Sequence, residues 1–108
     1  MKRSRTVGRR TRTLVWSERA KRDLVEIGDF IARDDRNAAA RWIARLMTTA
    51  ARTAVTPGAG RRVPELARDE VRELLLRTYR IVYRVSRTKI EVLTVFEGHR
   101  LFPPDVDT

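Results

Sequence analysis

The sequence predicts an α+β fold, and three observations predict it. Two segments in the first half carry apolar residues at helical spacing, a Pro-Gly break interrupts the chain at residues 56–60, and the second half turns β-branched and aromatic. The expected order is a short strand, two helices forming an antiparallel hairpin, and three strands in an antiparallel meander (β-α-α-β-β-β). With 108 residues the chain suits one domain that buries most of its apolar surface without staples. Its expected bounds are 13–102, with a basic arm over 1–12 and a tail over 103–108.

Leu14, Val15 and Trp16 form the first strand, and Ser17 offers a hydroxyl to cap the helix behind it. In that helix Ala20, Leu24, Ile27 and Ile31 fall at i, i+4, i+7 and i+11 and make one apolar stripe. Asp34 to Asn37 break the pattern, with Asn37 expected to cap a second helix whose stripe runs Ala40, Ile43, Met47, Ala50 and Ala54. The connection is short, so the helices should lie antiparallel. Phe30 and Trp42 are expected in the core. Thr56-Pro57-Gly58-Ala59-Gly60 ends the second helix, because proline cannot continue it.

The strands are expected at Val71–Arg77, Tyr79–Val85 and Ile90–Phe96. Alternation in the middle strand puts Tyr79, Ile81, Tyr83 and Val85 on the face that meets the helices. Arg80, Val82 and Arg84 then share the other face, which reads as cationic, with Arg72 joining it if the register allows.

The chain carries 24 Lys and Arg against 14 Asp and Glu, for a net charge of +10, and only Lys2, Lys21 and Lys89 are lysines. Arginine's planar fork pairs with phosphate or carboxylate, so the surplus points to a polyanionic or acidic partner. Six of the cations fall in the arm, between Lys2 and Arg12, without an acid among them. That arm reads as disordered, and is either an unselected extension or a non-specific contact for nucleic-acid phosphate. No cysteine is present, which excludes disulfides, thiolate metal sites and a cysteine nucleophile. The residues offer no metal site, cofactor fingerprint, export signal or membrane span, so a cytoplasmic protein is expected.

Four segments, AKRDLVEIGDFI (Ala20 to Ile31), GRRVPEL (Gly60 to Leu66), VRELLLRTYRIVYRV (Val71 to Val85) and VLTVFEGHRL (Val92 to Leu101), together resemble the RelE/ParE superfamily of toxins from type II toxin–antitoxin modules. The resemblance spans roughly Leu14 to Leu101. It implies a helical hairpin packed on a twisted sheet and a cognate antitoxin that wraps the toxin. It also implies one of two targets, messenger RNA on the ribosome for RelE-like members or DNA gyrase for ParE-like members.

Cleavage of RNA through its 2′-hydroxyl needs a base, an acid and fixed cations for the charge that builds on phosphate. Glu65 as base, His99 as acid or base, and Arg72 and Arg80 as phosphate clamps occupy roughly the places that some RelE-like nucleases use. Those nucleases add a tyrosine or lysine near the terminal histidine. Here Arg100, Leu101, Phe102, Pro103 and Pro104 follow His99 instead. The bland reading of Glu65 is an ion pair with Arg61 or Arg62. The segments look more like ParE, which implies a gyrase poison with no enzymatic activity, and Arg61, Arg62, Arg72, Arg80, Arg84, His99 and Arg100 as the surface for target or antitoxin. The alternatives are a ribosome-dependent endoribonuclease and a non-toxic basic module that binds nucleic acid.

Overall fold

Ser17 starts the helical hairpin by two bonds at once: its hydroxyl accepts from Ala20 N–H and donates to the Leu93 carbonyl, each at 3.0 Å. In the computed structural model, which describes residues 11–106, this serine joins strand β1 (Thr13–Trp16) to helix α1 (Glu18–Ala32). Helix α2 (Arg36–Val55) follows after three residues. Its cap is Asp35, not Asn37: the extended Asp35 backbone lets Oδ1 accept from Ala38 N–H at 3.0 Å, and Asn37 lies inside the first turn.

The face that α2 buries keeps Ile43, Ala50 and Ala54 of the expected stripe and departs from it at Ala40 and Met47. Ala39, Leu46, Ala50, Thr53 and Ala54 are buried, whereas Ala40 and Met47 are exposed. Alanines lie all round this helix, so they say little about its orientation, and Leu46 is its largest buried side chain, with Ala50 in the same core and Ile43 packed against it. Phe30 is 67% exposed, against the expectation of a core residue, and Trp42 is half-buried against Tyr79.

A 3₁₀ turn at Pro57–Ala59 leads to the two-residue strand β2 (Arg61–Arg62) and then to the meander of β3 (Val71–Leu76), β4 (Tyr79–Val85) and β5 (Lys89–Glu97). The sheet has five strands in the order β1-β5-β4-β3-β2; β1 runs parallel to β5 and every other pairing is antiparallel. Tyr83 fastens the turn, since its hydroxyl donates to the Pro57 carbonyl at 2.8 Å and accepts from Gly60 N–H at 2.9 Å. Gly60 must be glycine, because a Cβ there would sit 2.4 Å from the Glu73 carbonyl oxygen.

The sheet has a core on each face. The helix-side core gathers Ala20, Leu46, Ile81, Tyr83, Ile90 and Val92, with Tyr79 and Val85 packed against it, as the alternation of β4 predicts. The opposite face carries a second core of Val63, Val71, Val82, Leu93 and Phe96, covered by Leu66, Phe102 and Val106. Residues 103–106 are tied down further by an ion pair between Arg19 and Asp105. At the other end, Arg12 donates its N–H to the Ala54 carbonyl and its Nε to that of Ser86. The rest of the expected arm, residues 1–10, lies outside the described residues, as do 107 and 108.

The pairing of β4 with β5 slips by one residue: Val82 faces Thr94 while Tyr83 faces Val92, leaving Leu93 without a partner opposite. The extra residue turns Val95 N–H toward α1, where Asp23 Oδ2 accepts it at 3.0 Å together with the Thr94 hydroxyl. Asp23 thereby fixes α1 over the bulge, and Arg19 one turn earlier lies 3.5 Å from its other oxygen.

Candidate functional site: a closed ion cluster and an open cleft

Alternation along β4 sends Arg80 away from the helices and into the second core, where it is 8% exposed. Register then supplies its partner. Val71, Glu73 and Leu75 of β3 lie opposite Arg84, Val82 and Arg80, so Glu73 shares the Arg80 face and sits one diagonal away. Arg80 Nε donates to Glu73 Oε1 at 2.6 Å, and the Glu73 side chain is wholly buried. The other two guanidinium nitrogens donate to Glu65, at 2.9 and 2.7 Å, in a two-pronged pair. Arg61 Nε donates to the second Glu73 oxygen at 2.7 Å. Phe96 and Phe102 meet edge to face, and the Arg80 guanidinium lies 5.1 and 5.7 Å from their ring centres.

Every nitrogen of Arg80 is engaged. The Arg80 hydrogen bonds hold the Glu65 carboxyl below the usual glutamate range, and the pair with Glu65, followed by that with Glu73, raises Arg80 above the usual arginine value. A carboxylate stabilised in this way is a poorer base, and a guanidinium with three of its five N–H donors committed to two carboxylates is poorly disposed to take a phosphate.

The residues singled out by sequence are thus divided. Glu65, Arg80 and Arg61 come together, around Glu73. Arg72 lies opposite Tyr83, on the other face from Arg80 and Arg84, and donates to the carbonyls of Gly60 and Asp69 at 3.0 and 3.1 Å. Arg62 holds the same loop through the Ala67 carbonyl, at 2.6 Å, and Asp69. Arg84 pairs with Glu91 at 3.2 Å. His99 stands 72% exposed in the turn after β5, its Nε2 3.5 Å from Glu97. Arg80 therefore does not stand on the open cationic face expected of it; it is turned inward to meet Glu73. A glutamate on a strand face otherwise made of Val71 and Leu75 is the signal that could have found it.

A second feature is a cleft of about 560 Å³ between α1 and the segment that leaves β5. Ile27, Phe30 and Arg33 line one wall, and Arg100, Leu101 and Pro103 line the other. Leu101 is 92% exposed and Phe30 67%, with the Arg33 guanidinium 5.7 Å from the Phe30 ring centre. Burial of the Tyr79 hydroxyl, which borders the cleft, raises it above the usual tyrosine value, and Glu97 adds to the shift. Among the described residues no His, Asp and Glu side chains gather in a group able to hold a metal ion, and no helix is long and apolar enough to cross a membrane.

Residues 14–102 match the family described as the ParE toxin of the type II toxin–antitoxin system parDE. The chain belongs to the ParE toxin family. The matched region of this ParE-family toxin begins with β1 and ends on Phe102, the residue stacked on Arg80. It is similar to the protein of Sinorhizobium fredii named "Putative toxin Y4kP", at 43% identity over 90 residues, which cover 82% of this chain and 90% of that protein. Its fold is similar to that of a chain from a chromosomal ParDE system of P. aeruginosa, with a TM-score of 0.68 at 20% identity over 82% of this chain and 97% of that one. It is also similar in fold to a chain from the RelBE2 toxin–antitoxin complex of Mycobacterium tuberculosis, with a TM-score of 0.59 at 19% identity over 81% and 91%.

Proposed function

We propose that this ParE-family toxin arrests growth by binding and poisoning DNA gyrase, without cutting RNA, and that a cognate antitoxin holds it inactive in the cytoplasm. The observation that carries this reading is the closed Glu65–Arg80–Glu73 cluster. RNA cleavage at neutral pH needs a base with a raised or ordinary pKa and cations free to meet phosphate. Here the best-placed carboxylate is held low by the cation that would otherwise serve as clamp, and His99 stands apart with Glu97. Such a cluster supports a rigid binding surface better than an acid–base site.

For the antitoxin, the cleft between α1 and Leu101 has the right chemistry. Phe30, Ile27, Leu101 and Pro103 supply apolar area, and Arg33 and Arg100 supply positive charge among the carboxylates of Glu26, Asp29 and Glu97. An amphipathic segment with acidic residues beside its apolar ones fits both features.

The test is a supercoiling reaction with purified gyrase, relaxed plasmid and purified toxin. Loss of supercoiling, with cleaved DNA trapped in the gyrase complex, is expected. Unaffected gyrase, together with cuts at ribosomal A sites in primer extension after induction, would replace this reading with the endoribonuclease.

A further inference from the structure

Helix α2 carries Arg36, Arg41, Arg45 and Arg52 and not one acidic residue. Arg41, Arg45, Thr48 and Arg52 fall at i, i+4, i+7 and i+11, so they form one stripe on the helix, and all four are exposed. Among the described residues, neither an ion pair nor a side-chain hydrogen bond engages any of the three stripe arginines. The contrast is with Arg19, Arg61, Arg62, Arg68, Arg80 and Arg84, each of which meets a carboxylate.

Beside the stripe, Arg45 is held by an aromatic ring. Its guanidinium lies 4.8 Å from the ring centre of Trp42, and that of Arg77 lies 6.0 Å from the same ring. Tyr79 tilts against Trp42 at 5.9 Å and keeps the indole in place. Stacking orders two guanidinium groups and leaves their N–H donors unspent, which lowers the entropic cost of binding an anion. Arg77 reaches this position from the β3–β4 turn with φ of 55°, a left-handed conformation that glycine or asparagine adopts at less cost. A shallow groove lined by Ala44, Arg45, Thr48, Thr49 and Leu76 runs along the same side.

We propose that this face of α2, with Arg41, Arg45 and Arg52 as its line of contacts and Arg77 beside it, docks on the phosphate backbone of a nucleic-acid duplex. The line runs about 16 Å along a straight helix, at about 1.5 Å per residue. A duplex offers one phosphate charge per about 1.7 Å of its axis, so each arginine meets phosphate without any need for base sequence. An acidic protein would be expected to find apolar anchors among its contacts, as the cleft beside Phe30 offers. The α2 stripe offers a threonine and alanines along its length, with Val55 at its end and Leu76 beside it as the larger apolar side chains. This inference does not depend on gyrase as the target, and it is tested without gyrase.

The test measures binding of the full chain to labelled random-sequence 24-base-pair DNA and RNA duplexes by fluorescence anisotropy across a salt series. The triple variant Arg41→Ala, Arg45→Ala, Arg52→Ala is compared with a charge-matched control, Arg22→Ala, Arg68→Ala, Arg87→Ala. The substituted side chains are exposed, so both proteins should keep the native far-ultraviolet circular dichroism and a cooperative thermal unfolding transition. The expected result for the α2 variant is a slope of log K against log salt that falls by about 2.7, at about 0.9 per phosphate neutralised, and roughly tenfold or more weaker binding at moderate salt. The control should change the slope by less than about 1. Loss for both duplex types assigns the stripe to the shared phosphate backbone; loss for one alone assigns it to that nucleic acid. Equal loss in the control would show diffuse attraction by net charge and overturn the proposal. It would also be overturned by unchanged duplex binding together with lost binding of a polyglutamate peptide, which would make the stripe a protein surface.

Discussion

Glu73 and Arg80 hold each other inside the sheet's second core: Oε1 meets Nε at 2.6 Å, with the Glu73 side chain fully inaccessible and that of Arg80 9% exposed. Removing one partner of a buried pair leaves the other charged without its counter-ion, which costs far more than the pair contributes when compared with apolar residues. Glu73→Ala should therefore destabilise the protein by about 3–5 kcal/mol in urea unfolding. The double change Glu73→Leu, Arg80→Met should recover most of that loss. A single-mutant loss below about 1 kcal/mol would mean that Glu65 and the two phenylalanines suffice for Arg80.

Glu65 makes the cluster sensitive to acid. Its folded-state pKa is held below the ordinary value of 4.5 by Arg80, so its stabilising contribution is complete above that value and is lost as pH falls through the lower folded value. The melting temperature of the native chain should exceed that of Glu65→Gln near neutral pH, and the gap should close as pH drops below about 4.5. Because the Glu65 side chain is 42% exposed, the gap is small. A gap that persists unchanged to about pH 2 would assign it to packing and not to charge.

Much of this arrangement is written in local pattern. The period-two alternation of β4 correctly sorts Tyr79, Ile81, Tyr83 and Val85 from Arg80, Val82 and Arg84, and the Pro-Gly break places the end of α2. The meander follows from its short links. Pairing between strands is what local pattern does not carry. It takes the β3–β4 register to bring Glu73 to the Arg80 face and send Arg72 to the other, and alternation within one strand says nothing of that. Nor does the alternation reveal a second core, because the side chains that close it, Leu66, Phe102 and Val106, come from irregular segments with no period to read. Phe30 lies outside the core because it borders an open cleft, whereas aromatic character signals burial only on average.

Asp23 anchors the helical hairpin to the bulge in β5. Its Oδ2 accepts from both the Thr94 hydroxyl and Val95 N–H, and its side chain is 14% exposed. Asp23→Ala should strand two buried donors and destabilise the fold by about 1–3 kcal/mol. Thr94→Val in the Asp23→Ala background should cost less than it does alone, because its partner is already gone. Purely additive losses in the double-mutant cycle would show that Asp23 acts through Val95 N–H and Arg19 and not through Thr94.

Phe30 and Leu101 face each other across the cleft while remaining largely in water, so neither stabilises the isolated chain by much. Truncating each to alanine should change the unfolding free energy by less than about 0.5 kcal/mol. If an amphipathic acidic segment of the antitoxin fills the cleft, the same truncations remove apolar anchors from the centre of its binding site, where a single aromatic side chain is worth about 2 kcal/mol or more. Phe30→Ala should then weaken antitoxin binding about thirtyfold in calorimetry against the cognate antitoxin, with Leu101→Ala close behind. Arg33→Ala and Arg100→Ala should act mainly on the association rate and its salt dependence, because exposed charges steer encounter more than they hold the complex. Antitoxin affinity unchanged by both apolar truncations would move its docking site away from the cleft.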